Sequence, residues 1–223
     1  MGNHFHRPRS LLVTLIALTL FFGLASSAWA LTTVLHETFE TYAVGPLGAP
    51  WSVTKSGSSH ADVINTAYGK RLLFHGGTAD SDYMLARRDF SSSATQIVVS
   101  ADMKPAAGSS FVWELHGAGS SIGARRIRLQ RLLGSTMLSA QTAPSGTTNC
   151  APLPSDVWSR VTLKVHATTW PHTFDVLING NATACTGVST GLSPTFTYIA
   201  ITDIASAGYG GDIRFDNIDV IAP

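Results

Sequence analysis

The side chains best suited to chemistry fall on two neighbouring segments. Phe111-Val112-Trp113-Glu114-Leu115-His116 is followed, across the glycine-rich stretch 117–123, by Arg125-Arg126-Ile127-Arg128-Leu129-Gln130-Arg131. Period-two alternation puts Phe111, Trp113 and Leu115 on one face and Glu114 and His116 on the other. In the return segment Ile127 and Leu129 face a core, so Arg126, Arg128 and Gln130 share the side of Glu114 and His116. A carboxylate, an imidazole, two guanidiniums and an amide on one strip can hold anionic groups, because arginine pairs bidentately with carboxylate and sulfate. The same set could abstract a proton beside a carboxylate, with His116 as base and Arg126, Arg128 and Gln130 neutralising the charge that develops. The bland alternative is a solvated strand face on which Glu114 pairs with Arg126 or Arg128 for about 0.2–1 kcal/mol.

Other constellations are sparser. The remaining histidines downstream of residue 30 (His36, His60, His75, His166, His172) stand singly, without H-x-H or H-E-x-x-H spacing, which argues against a transition-metal site. Trp51, Trp113 and Trp158 read as core residues, and Trp170, before Pro171, as the exposed one. Cys150 and Cys185 are the chain's two cysteines. In an oxidising compartment they are expected to pair, closing a loop of about 35 residues worth roughly 4 kcal/mol.

That compartment is indicated by residues 1–30. Arg7 and Arg9 precede an apolar run from Leu11 to Gly23, and Ala28-Trp29-Ala30 is a small-x-small cleavage site. The pattern is that of an export signal, with a mature chain starting at Leu31. The expected location is secreted or periplasmic. The apolar run is shorter than the roughly 20 residues of a membrane span, and no later segment approaches one. Cleavage removes two arginines and no acid, leaving a near-neutral mature chain. That balance offers nothing to nucleic acid.

The 223 residues, 13% charged and 44% hydrophobic, suit one ordered domain over 31–223. Alternation at period two recurs along the chain, with no sustained helical period. About twelve strands are expected, among them 96–104, 158–166, 172–179, 195–203 and 212–221. Asn179-Gly180 is a type I′ hairpin signal. The proline-rich stretch 141–156 reads as a long loop pinned by Cys150. Many alternating strands and no helices predict an all-β, two-sheet antiparallel sandwich, with strand number favouring a jelly roll over an immunoglobulin-like unit.

Four segments carry a family resemblance: Glu37-Thr-Phe39-Glu40-Thr-Tyr42 running on to Trp51, Val157-Trp158-Ser-Arg160-Val161-Thr-Leu163, Phe174-Asp-Val176-Leu-Ile178-Asn179-Gly180, and Gly211-Asp-Ile-Arg-Phe215-Asp216-Asn217-Ile-Asp-Val220. Together they resemble the concanavalin A-like, laminin G-like jelly rolls of secreted bacterial proteins, in which both chain ends pair in one sheet. Galactose-binding-type modules end in a similar Asp-rich strand and stay open. The resemblance implies recognition of a polysaccharide or glycan on a concave sheet, by Glu114, Arg126, Arg128 and Gln130 here. A metal-independent polysaccharide lyase acting on uronates, with His116 as its base, is the alternative, and a structural or adhesion module that binds protein is the third. The Glu-x-Asp-x-x-Glu signature of glucanases with such folds is absent. No cofactor is implied beyond a structural calcium, for which Glu37, Glu40 and Asp216 are the candidate ligands because both chain ends lie side by side.

Overall fold

The computed structural model describes residues 32–77, 79, 81–92, 96–117, 126–142, 146–166, 172–190, 195–202 and 211–222. Residues 1–31, which include the expected export signal, Trp170 and residues 118–125 lie outside these residues. The described chain forms strands and no helix. They are β1 (Thr32–Glu37), β2 (Gly45–Pro46), β3 (Ser52–Ser56), β4 (His60–Thr66), β5 (Gly69–Gly76), β6 (Tyr83–Ser92), β7 (Gln96–Pro105), β8 (Phe111–Gly117), β9 (Arg126–Arg131), β10 (Met137–Thr142), β11 (Thr147–Pro152), β12 (Ser159–His166), β13 (His172–Ile178), β14 (Asn181–Ala182), β15 (Val188–Thr190), β16 (Phe196–Thr202) and β17 (Gly211–Ala222).

Two antiparallel sheets result, packed as a sandwich. One runs β14-β13-β12-β7-β17-β5-β4-β2, with β1 also on β17 and β15 on β13; the other runs β11-β10-β9-β8-β16-β6-β3. The two ends of the described chain pair directly, Thr32 opposite Ala222 and Glu37 opposite Ile218. Strict alternation makes the core. In β12, Val161, Leu163 and Val165 point inward and are buried, while Arg160, Thr162, Lys164 and His166 point outward. Phe111 of one sheet meets Phe215 of the other edge-on at 6.2 Å, a favoured aromatic geometry. Asn179 and Gly180 both have positive φ, 51° and 79°, and close the turn between β13 and β14.

Three expectations needed adjustment. The 141–156 stretch is not a plain loop: Thr147–Pro152 forms β11 on β10. It is the edge of its sheet, where a proline at the strand end is tolerated because no ladder bond is lost. Trp158 is not core but 39% exposed, whereas Trp51 and Trp113 are buried. The strand β8 is not a solvated surface strand, since all six residues Phe111 to His116 are buried. Cys150 and Cys185 form a disulfide, and it links β11, at one edge of the smaller sheet, to the turn after β14, at an edge of the larger. No helix among the described residues is long and apolar enough to cross a membrane.

Candidate functional site

The face of the seven-stranded sheet that points away from the core carries a continuous polar chain. It begins on β6 and ends on β10, and register explains every step. Tyr198 lies opposite both Asp89 of β6 and His116 of β8; Ala200 lies opposite Arg87 and Glu114. Glu114 then faces Arg128 of β9, and Arg128 faces Gln141 of β10. Side chains directly opposite in antiparallel strands are near enough to interact.

The contacts follow that order. Arg87 Nε donates to Asp89 Oδ1 at 2.6 Å, and the guanidinium carbon lies 4.0 Å from the Tyr198 ring centroid. The Tyr198 and His116 rings stack at 4.1 Å with 16° between planes. His116 Nε2 lies 2.9 Å from Glu114 Oε2, so the imidazole donates to the carboxylate. Glu114 Oε1 accepts from Arg128 Nε at 2.8 Å. Arg128 in turn reaches Gln141 Oε1 at 3.4 Å. The Tyr198 ring is thus held between a guanidinium and an imidazole, a cation–π contact on one side and an offset stack on the other.

Burial divides the chain into floor and rim. The side chains of Glu114 and His116 are 4% and 5% exposed. Arg128 is 20% exposed and Arg87 42%. A carboxylate buried this deeply is tolerated only with charge partners and donors, which Arg128 and His116 supply. Tyr83 borders the floor: burial, and then the charge of Glu114, raise its hydroxyl pKa.

The sequence-derived residues distribute as follows. Glu114, His116 and Arg128 are brought into one hydrogen-bonded cluster. Gln130 shares their face but sits a step away, opposite Val112 and 7% exposed. Arg126 is opposite His116 by backbone register; its side chain lies outside the described residues. Tyr198, Arg87 and Gln141 complete the chain and were not singled out by the sequence.

Glu37, Glu40 and Asp216 are not gathered around one point. Arg71 stands between Glu40 and Asp216, 3.4 Å from Glu40 Oε1 and 2.8 Å from Asp216 Oδ2, so a guanidinium holds the position a cation would take. Glu37 instead accepts a hydrogen bond from the Tyr42 hydroxyl at 2.6 Å and faces Arg88. Among the described residues no group of three or more His, Cys, Asp or Glu is arranged to hold a metal ion. Burial raises the Asp216 pKa, against the lowering effects of the Asn217 amide and Arg71.

No protein-family model and no curated protein sequence matches the chain. Solved structures do match in fold. A sialidase superposes with TM-score 0.63 at 13% identity, over 86% of this chain and 19% of the sialidase. The carbohydrate esterase of Shiga toxin-encoding bacteriophage phi24B gives 0.60 at 13% identity, over 86% of this chain and 99% of that one. An endo-1,3-beta-glucanase from Streptomyces sioyaensis gives 0.54 at 14% identity, over 86% and 97%. The chain spans less than a fifth of the sialidase's length. At these identities the likeness is one of architecture, the all-β two-sheet sandwich, and function must be argued from the site.

Proposed function

We propose that the protein is exported and binds an extracellular polysaccharide, preferably one carrying carboxylates, along the outward face of the seven-stranded sheet. The observation that carries this reading is the stack and ion-pair chain Arg87–Tyr198–His116–Glu114–Arg128–Gln141 laid across five adjacent strands. It sets two partly exposed guanidiniums, Arg87 braced on the Tyr198 ring and Arg128 on Glu114, along a rigid sheet, where they can pair with the acidic substituents of a sugar chain. The fold it shares with a sialidase, a carbohydrate esterase and a glucanase lends the reading an analogy. The disulfide and the amino-terminal signal pattern support export. Affinity electrophoresis through gels containing alginate, pectin, hyaluronan or polyglucuronate tests it. Retardation by at least one, weakened by Arg128→Ala, is expected. Unretarded migration through all four defeats it.

One observation favours a second reading, a uronate lyase. His116 is held by a buried carboxylate, the arrangement that orients an imidazole base. With Nε2–H donated to Glu114, the lone pair of the neutral ring is on Nδ1. His116 Nδ1 takes the C5 proton, the C4–C5 double bond forms as the C4–O bond breaks, and the departing oxygen takes a proton from the resulting imidazolium, which would yield an unsaturated uronate. The readout is rising absorbance near about 235 nm, expected of base-catalysed elimination and absent in His116→Ala. Retardation without any such rise leaves a binding protein.

A further inference from the structure

A separate cleft opens at the edge of the sandwich, where β1 approaches β6. Glu37, at the end of β1, keeps the inward parity of Leu35. Arg88 keeps that of Met84 and Ala86 in β6. The two charged residues thus point between the sheets, where their strands supply apolar residues elsewhere. With Tyr42, Ala43, Pro46 and Pro50 they line a cleft of about 550 Å³, within the size range of small-molecule sites.

The charged pair has unmet hydrogen-bonding capacity. Arg88 Nε is buried without an acceptor and lies 3.7 Å from Glu37 Oε2, beyond hydrogen-bond reach. The Glu37 side chain is 9% exposed. Its Oε2 accepts from the Tyr42 hydroxyl, and its Oε1 accepts no hydrogen bond among the described residues. Unlike Arg88 Nε, Oε1 is not sealed from solvent, so it is open to a donor entering the cleft. The charges of Glu37 and Arg88 cancel, so an anion would be repelled by the first and a cation by the second. A neutral ligand rich in hydroxyls meets neither penalty, and the proline, alanine and tyrosine walls suit a ligand with an apolar side.

We propose that this cleft is a binding site for a neutral sugar residue, whose hydroxyl donates to Glu37 Oε1 while its C–H surface rests against Tyr42, Pro46 and Pro50. The site is separate from the Arg128 face and does not depend on the polysaccharide reading given to it.

Saturation-transfer NMR and calorimetry on the mature protein test this, with cellobiose, laminaribiose, lactose and methyl α-mannoside as probes. Saturable binding of at least one is expected. Glu37→Gln preserves the acceptor for Tyr42 but removes the charge, and should weaken that binding about tenfold. Ala43→Trp, which fills the cleft from an exposed loop position, should abolish it even if Glu37→Gln proves poorly folded. Arg128→Ala should leave this binding as it is, which separates the cleft from the sheet face. The proposal is overturned if none of the four sugars saturates up to about 50 mM, or if binding persists undiminished in Ala43→Trp.

Discussion

Glu114 is the residue on which the sheet-face cluster turns, because two neighbours use its two oxygens separately. Glu114→Leu removes the acceptor of His116 Nε2 and of Arg128 Nε and leaves Arg128 only its long contact to Gln141. Arg128 is still one-fifth exposed, which softens the loss, so the expected destabilisation is about 1–3 kcal/mol, measured by urea unfolding. Glu114→Gln keeps an acceptor for Arg128 and should cost less. A second carboxylate gives a pH signature. Asp175 is partly desolvated, which raises its pKa, but the Gly187 amide, His166 and Lys164 together win and hold it below the ordinary carboxylate value. A depressed folded pKa means stability that is present above the unfolded value of about 3.9 and is lost as pH falls through the folded one. Asp175→Asn should therefore lower stability at pH 6 and flatten the acid limb of the unfolding profile. An unchanged acid limb would show that Asp175 is not the group responsible. At this scale the sequence was informative about Glu114, His116 and Arg128 because strict alternation placed them. It was silent about Tyr198 because the register shifts between Phe196 and Tyr198. A bulge breaks parity, so counting from Phe196 sends Tyr198 to the wrong face.

Among the elements, the β13–β14 hairpin was the most legible, since Asn179-Gly180 is among the few dipeptides that accept positive φ at both positions. Gly180→Ala would force a Cβ into that conformation, and the expected loss is about 1–2 kcal/mol, read as a lower urea midpoint with unchanged slope. Strand β11 was hidden for the opposite reason. The prolines within and around it, Pro144, Pro152 and Pro154, signal a loop, yet an edge strand needs a partner on one side only, and β10 supplies it. Arg131 was hidden too. It has the inward parity of Ile127 and Leu129 and is 1% exposed, its Nε bound to the Ser135 carbonyl and one terminal nitrogen to Ser155 Oγ. A buried arginine that ties two loops cannot be told by alternation from one facing solvent.

For the whole molecule, the two-sheet architecture followed from period-two alternation and the absence of a helical period. The pairing of both ends in one sheet followed from the family resemblance. The site was harder to read, because its members come from five strands, β6, β16, β8, β9 and β10 in spatial order, of which only the last three follow one another in sequence. The disulfide acts at this scale, tying an edge of one sheet to an edge of the other. Replacing both Cys150 and Cys185 by Ser should cost about 2–4 kcal/mol, a fall in Tm of roughly 5–15 °C for a domain of this size. Scanning calorimetry reads it. An unchanged Tm would mean that the two edges are held as firmly by packing alone.

The most direct test of the polysaccharide-binding account is the Kd of the mature protein for alginate by titration calorimetry, for wild type and for Arg128→Ala, with thermal unfolding as the check on folding. The account predicts saturable binding that Arg128→Ala weakens at least about tenfold, a change of some 1.4 kcal/mol. Equal affinity in the two folded proteins would contradict it and move recognition away from the face built on Glu114, His116 and Arg128.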